Sequence, residues 1–519
     1  MQENTNGAIA LNTIVLYAKM AITTICALFT TRFALQALGN SDFGLFSVLG
    51  GIISFVAIFN TIMLSTSNRF IAVAIGKGDI KEANKQFNVC LAVHVLIAII
   101  TLLIALPIGD WYIHRFINYD GNIDNALLVY NISIIGSILS FIGVPYNGIL
   151  MAKERFITFS IIEVAAAVIK LIISFLLISH FRDKLLIYTI TLAALTAIPT
   201  FAYWIVCRIM FSEIVRIKLV TESRCYKDVF DFSAWVAVGA VTFVGRSQGS
   251  ALIINAFFNT IMNTALGIAN SINSYIALFA QNVTQPMSPQ IMKSYANGDN
   301  DRVNKLLTMS TKFAYLTMLV ISAPFLVAPE ALINLWLGSV PPYVVTFTVL
   351  LIVDHLVQSL NSGINNVIFA SGKIKIYQIV VSVLNVLSVV IAFLALYLGY
   401  PAYTLVISYI FVSIIRFFAV QWVLHRTLNF ENEILVKSSY LPSILVTAFF
   451  LPILALRSIV PPIILIALSL VYVCILVFFV GMNTSERTYI ISIASRFLKK
   501  NNNGFARKQR KNSHCGGGL

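Results

Sequence analysis

Gly76-Lys77-Gly78-Asp79-Ile80-Lys81-Glu82-Ala83-Asn84-Lys85 has a counterpart later in the chain, Ala296-Asn297-Gly298-Asp299-Asn300-Asp301-Arg302-Val303-Asn304-Lys305. Gly-Asp and Asn-Lys recur at an offset of 220 residues. A second pair, Tyr146-Asn147-Gly148-Ile149-Leu150-Met151-Ala152 and Ile364-Asn365-Asn366-Val367-Ile368-Phe369-Ala370, recurs at 218. Two pairs at nearly one offset mark an internal duplication. Gly78 and Gly298 permit a turn, and the residues after them start short amphipathic segments. The motif therefore reads as a turn and helix cap rather than a substrate contact.

Outward from these turns the sequence is apolar. Runs of roughly 20 residues, enough to cross a bilayer core as helix, fall near 9–35, 43–66, 87–109, 126–151, 157–180, 185–210, 229–256, 261–290, 306–328, 343–370, 376–399, 402–424, 440–456 and 459–481. Of the 519 residues 58% are hydrophobic and 11% charged, and the mean hydropathy is +0.86. Soluble domains carry about 25% charged residues, so a water-facing surface cannot be built from this chain. Alternating strand-like segments, the mark of a membrane β-barrel, are not seen. The first run starts at Met1-Gln2-Glu3-Asn4 with no basic region, so it reads as a span rather than a signal peptide.

The net charge of +15 invites a nucleic-acid reading, which the placement of the charges excludes. Alternate loops on one side, with the tail, hold 26 Lys and Arg, whereas the opposite loops hold four, Arg115, Arg182, Lys184 and Arg457. A bias of this strength places both termini in the cytoplasm and calls for an even helix count. Cys26, Cys90, Cys207, Cys225, Cys474 and Cys515 lie in spans or on the basic side, so no disulfide framework is expected. The six histidines have no metal-ligand spacing, and neither a metal nor a cofactor is expected.

Both Gly-Asp turns sit on the basic side with six runs between them, so the two halves point the same way, as parallel repeats about an axis along the membrane normal. The expected organisation is an all-α integral membrane protein of about 14 transmembrane helices. A six-helix bundle spans 1–210, a linker 211–228, a second six-helix bundle 229–426, two additional helices 427–482 and a basic tail 483–519.

Leu38-Gly39-Asn40-Ser41-Asp42-Phe43-Gly44-Leu45-Phe46-Ser47 resembles the stretch that enters the second helix of polysaccharide-export flippases, and Gly76-Lys77-Gly78-Asp79 and Ala152-Lys153-Glu154-Arg155 resemble loops of the same proteins. The chain is thus similar, over its first twelve runs, to the polysaccharide transporters (Wzx-type O-antigen flippases) of the multidrug/oligosaccharidyl-lipid/polysaccharide superfamily. The resemblance implies a MATE-like pair of bundles in a bacterial inner membrane. It also implies outward movement of undecaprenyl-pyrophosphate-linked oligosaccharide for surface polysaccharide export, with membrane lipid and polysaccharide polymerase machinery as partners.

Ionisable groups inside a span face protein or a water-filled cavity. Five runs carry polar stripes at helical spacing. These are Asn12, Lys19, Thr23 and Thr30; Ser160, Glu163, Lys170 and Ser174; Trp235, Gly239, Thr242, Arg246 and Ser250; Asn263, Asn270, Ser274, Gln281 and Gln285; and Asp354, Gln358, Asn361 and Asn365. They are expected to line a cleft between the bundles. Lys19, Lys170 and Arg246 would hold a pyrophosphate, and the amides and hydroxyls would serve sugar hydroxyls. Alternatives stand beside these assignments. Lys170 can pair with Glu163, Arg246 with Asp231 or Asp354, Asp42 with Arg32, and Asp354-His355 is either a proton or cation site or a satisfied interior pair. Arg416 reads as structural, because its run lacks a polar stripe.

Other functions compete. A peptidoglycan-precursor flippase fits the same features. A cation-coupled multidrug exporter of the same superfamily would need membrane carboxylates and aromatics, whereas cations prevail here. A membrane polymerase would need a large external loop with catalytic residues, but Asp110, His114, Arg115, Asp120 and Asp124 form no motif, and no catalytic residues are assigned. A purely structural protein or a receptor would not need buried charge. The tail from Arg496 to Lys511 reads as a positive flank or a holder of anionic headgroups.

Overall fold

The computed structural model describes residues 2–116, 123–179, 183–258, 260–337, 340–428, 430–488 and 491. The first half comprises α1 (Gln2–Gly76), α2 (Ile80–Phe116), α3 (Ile123–Ala152), α4 (Phe156–Leu176) and α5 (Lys184–Met210). The second comprises α6 (Ser223–Phe257), α7 (Thr260–Thr284), α8 (Met287–Ala296), α9 (Asn300–Val327), α10 (Pro329–Leu337), α11 (Val344–Ser359), α12 (Ser362–Ser371), α13 (Lys375–Tyr397) and α14 (Thr404–Leu428). After them come α15 (Asn432–Leu435), α16 (Leu441–Phe450) and α17 (Pro462–Leu476). Among the described residues twelve helical segments are long and apolar enough to cross a membrane, and thirteen if α11 and α12 count as one bent span. The eighth apolar run forms α7, whose Asn, Ser and Gln stripe makes it more polar than those segments.

The first two runs fall in one helical element, α1, which holds two separate candidate spans, Ile9–Leu38 and Ile58–Gly76. A straight helix of 75 residues would be about 112 Å long. Yet Ile9 and Thr13 meet Asn304 and Lys305, while Gly76 packs on Lys293. Both ends of α1 therefore lie at the same end of the molecule, and the element doubles back on itself. Arg69, expected in a loop, lies within α1.

The Gly-Asp turns match in detail. Gly78 and Gly298 both adopt left-handed backbone, with φ of 73° and 71°. Asp79 Oδ1 accepts from the Glu82 amide at 2.9 Å and Asp299 Oδ1 from the Arg302 amide at 3.0 Å. Each aspartate caps the helix that follows, a contribution of about 1 kcal/mol. The second repeat behaves likewise. Glu154 and Gly372, 218 residues apart, both have positive φ, 57° and 75°.

The loops at this basic end bind one another. Asn84 donates to the carbonyls of Ile214 and Arg216, and Lys85 bonds Glu222 at 2.5 Å, holding that exposed carboxyl below its ordinary pKa. One hydrophobic core, including Leu16, Ile71, Phe156, Val229, Ile291, Leu306 and Ile368, joins the two halves here. Toward the other end the cores separate. Among the described residues, Ile134, Phe141 and Leu177 belong to clusters within the first half, and Leu319, Phe347 and Phe450 to a cluster of later helices. The molecule is thus joined at the basic end and divided toward the opposite one.

Two helices break within their runs. Pro286 stands between α7 and α8, where its missing donor removes a helix hydrogen bond. The break between α11 and α12, with a bend of 42°, was not anticipated. It falls at Leu360-Asn361, followed by Ser362 and Gly363 in the first turn of α12, where Asn, Ser and Gly favour caps and turns over helix interiors.

Candidate functional site

The predicted site residues separate into three groups. The polar face of α6 is the first, and here the structure forms the Arg246–Asp354 pair that stood as the alternative to a cleft role. Arg246 Nη2 lies 2.6 Å from Asp354 Oδ2, with both side chains buried. Asp354 also accepts from Gln358 Nε2 at 2.8 Å and Ser413 Oγ at 2.5 Å. The Arg246 guanidinium stacks 4.2 Å from the Tyr409 ring, whose hydroxyl meets Ser250. Thr242 bonds Ser382 at 3.1 Å. These groups tie α6 to α11, α13 and α14 inside the second half, where polar pairs hold helices together in lipid. Arg246 is consequently neutralised rather than offered to a ligand. Asp354, with three donors around it, forms the satisfied interior pair that was one of its two expected roles.

The second group lies on α1 and α4. Lys19 Nζ sits 4.2 Å from the centre of the Phe159 ring, and Glu163 accepts from the Tyr203 hydroxyl at 2.5 Å. The expected alternative of a Lys170–Glu163 pair is not formed. Among the described residues Lys19, Lys170 and Arg416 make no ion pair. Asn12 is buried near the start of α1. Thr23 bonds its own helix backbone, as do Ser174 and Ser274. Asn270 accepts the Ser274 hydroxyl through its carbonyl. The side chain of Asn263 lies outside the described residues.

The third group forms a cavity of about 230 Å³ in the second half. Gln281 of α7, Gln358 of α11, Asn365 of α12 and Asn361 between them converge there, as the spacing predicts, and Arg416 of α14 joins them. Arg416, which its run alone suggested to be structural, thus lines this cavity. Its Nε is buried without a partner, and so are Oδ1 and Nδ2 of Asn361.

Two larger pockets stack along the seam where α1 meets α7 and α9. The pocket at the basic end, about 680 Å³, is walled by Ile9, Thr13 and Ile14 of α1, by Lys305 and Lys312 of α9, and by Asn483 and Glu486. The next, about 620 Å³, is almost wholly apolar, with Tyr17, Met20, Ala21 and Ile25 facing Tyr275, Leu278, Phe279 and Ile321. Thr317 lines both, so the two pockets adjoin end to end along the seam, as a slot in two parts. From Ile9 to Ile25 it follows α1 for about 24 Å at 1.5 Å per residue, most of a hydrocarbon core. Lys312, which sequence reasoning missed, pairs with Glu486 at 2.6 Å in this slot. A lysine in the middle of the ninth apolar run was the available signal.

The fold is that of a polytopic helical membrane protein with a MATE-like architecture of two helical halves. Residues 16–176 match the MatE family model. Among solved structures, the chain is similar to a MATE protein in the bent conformation, with a TM-score of 0.70, 12% identity and coverage of 81% of this chain and 96% of that one. It is also similar to an outward-facing multidrug resistance MATE transporter of the MOP superfamily, with a TM-score of 0.69, 11% identity and the same coverage. A MOP superfamily transporter of Pyrococcus furiosus, described as having a binding pocket of reversed polarity, aligns at a TM-score of 0.66 and 14% identity, over 81% of this chain and 96% of that one. By sequence the chain is 24% identical over 321 residues to the uncharacterized membrane protein EpsK of Bacillus subtilis (strain 168). That match covers 59% of this chain and spans 61% of the relative's length.

Proposed function

We propose that this protein is a flippase for polyprenyl-pyrophosphate-linked oligosaccharide, taking its substrate from the cytoplasmic leaflet of a bacterial inner membrane. The observation that carries this reading is the slot between α1 and α7/α9. It carries Lys305 beside the Lys312–Glu486 pair at the basic end and is apolar beyond it, a shape for an amphiphile with an anionic head and a long hydrocarbon tail. Lys19 and Lys170, unpaired cations inside the spans, supply charge to the headgroup as it crosses. The tail stays in the slot and the bilayer while the halves rock about the joined basic end. Export of an anion from a negative interior is favoured by about 2.3 kcal/mol per charge per 100 mV, so the membrane potential drives the step. Polysaccharide polymerase machinery would take the product.

A second reading, export of organic cations, is favoured by the multidrug transporter among the solved structures of the same fold. Proteoliposomes separate the two. Flipping of an undecaprenyl-pyrophosphate glycan that accelerates with an inside-negative potential supports the flippase. Failure to move that lipid, with export of an organic cation instead, establishes the alternative.

A further inference from the structure

We infer that the cavity between α7, α11, α12 and α14 is a subsite for one acidic sugar ring of the transported headgroup; the reading of the rest of the ligand rests on the proposed flippase activity. The cavity lies where the core shared by both halves, represented by Tyr377, gives way to the core of the later helices, represented by Met318. Gln281, exposed, marks its mouth. At about 230 Å³ it is smaller than the ~300–1,000 Å³ of pockets that take drug-sized ligands, which leaves room for a single ring.

Its chemistry is set by the bend between α11 and α12. Asn361 stands at the break as the residue before α12, with φ −102° and ψ 1°, and its side chain does not cap the helix. It is 4% exposed, yet neither its oxygen nor its nitrogen has a partner. Buried amides are ordinarily satisfied, so both atoms point to a ligand that donates and accepts. Arg416 adds a charge and a buried, unpartnered Nε. No carboxylate lines the cavity, and nearby Asp354 is held by Arg246, Ser413 and Gln358.

These requirements eliminate other ligands in turn. An organic cation is repelled by Arg416. A fully ionised phosphate or pyrophosphate accepts only, which leaves the Asn361 oxygen bare. A neutral sugar satisfies the amide and leaves the arginine without a counter-charge. A ring bearing hydroxyls and a carboxylate meets all three groups at once, with the carboxylate on Arg416 and hydroxyls on the amides. Since both Asn361 atoms lack partners, the conclusion does not depend on which one is oxygen.

The test is binding of methyl glucuronide, methyl glucoside and inorganic pyrophosphate to the full-length protein in nanodiscs, by titration calorimetry or saturation-transfer NMR. The glucuronide is expected to bind at least tenfold more tightly than the glucoside, with pyrophosphate a poor competitor. Arg416→Gln should abolish that preference, and Asn361→Ala should weaken both sugars about equally. Arg416→Lys, which keeps the charge, should retain part of the preference and serves if the glutamine variant misfolds. Equal binding of the two sugars, displacement of the glucuronide by equimolar pyrophosphate, or a preference that survives Arg416→Gln overturns the assignment. Sugar preference without any lipid flipping would overturn the flippase reading and leave the subsite. Flipping of neutral and acidic glycans at equal rates would do the reverse.

Discussion

Glu154 Oε1 and Lys293 Nζ lie 2.6 Å apart and join the two halves at the basic end. Gln290 Nε2 donates to the other oxygen of Glu154 at 2.9 Å, and Arg302 steadies Gln290 in turn. The duplicated position does the same by other means. Arg69 of α1 donates to the Phe369 carbonyl at 3.1 Å, beside Gly372, the repeat partner of Glu154. Each half thus sends one cation across to the turn after the corresponding helix of the other half.

Weakening this contact should loosen the basic end. The Glu154–Lys293 pair is partly exposed, so it contributes about 1 kcal/mol at most. Glu154→Gln is expected to raise the population separated at the basic end by up to about fivefold. Distances between spin labels across the two turns would record it, and exchanging the charges in a Glu154→Lys, Lys293→Glu double variant should restore the joined state.

The two positive-φ glycines of different surroundings should respond differently to alanine. At Gly78 nothing lies within 4 Å of an added Cβ, so only backbone strain of about 1 kcal/mol is incurred. At Gly372 the Cβ would collide with the Arg69 guanidinium as well. Thermal unfolding in detergent should show Gly372→Ala as the more damaging substitution, and it alone should disturb closure of the basic end.

Arg246→Ala should act through folding. It leaves the buried Asp354 without its counter-ion, a loss of about 3–5 kcal/mol, and is expected to lower the yield and melting temperature of the protein. Replacing Arg246 and Asp354 together by apolar residues should recover much of that stability. A stable Arg246→Ala protein that has lost only transport would contradict the structural role.

Lys19→Ala should instead reduce flipping of a pyrophosphate-linked glycan by an order of magnitude and lower stability by only about 1 kcal/mol, the worth of its contact with the Phe159 ring. Lys19→Arg should retain most activity. Rates are read in proteoliposomes and stability in detergent.

The fold was largely legible because lipid imposes a strong rule. A span must be apolar for about 20 residues, and all fourteen runs overlap helices of the structure. The repeat was legible because a left-handed turn followed by a capped helix needs Gly-Asp. Helical spacing gives a face but not its neighbour, and here the sequence became opaque. Arg246 and Asp354 are 108 residues apart and Lys312 and Glu486 are 174 apart. No periodicity links such residues, so one cation was assigned to the cleft and the other was missed. Arg416 was undervalued for the same reason. Its own helix has no polar stripe, and the amides that face it come from α7, α11 and α12. The bend at Asn361 left only the weak signal of a few poor helix formers.

The most direct measurement is the rate at which an undecaprenyl-pyrophosphate glycan reaches the opposite leaflet in proteoliposomes containing the wild-type chain or Ala21→Trp, whose added bulk fills the apolar slot. The wild type should flip the lipid, and Ala21→Trp should slow it at least tenfold without loss of folded protein. A wild-type chain that leaves the lipid in place, or a tryptophan variant that flips it at the wild-type rate, would contradict the account.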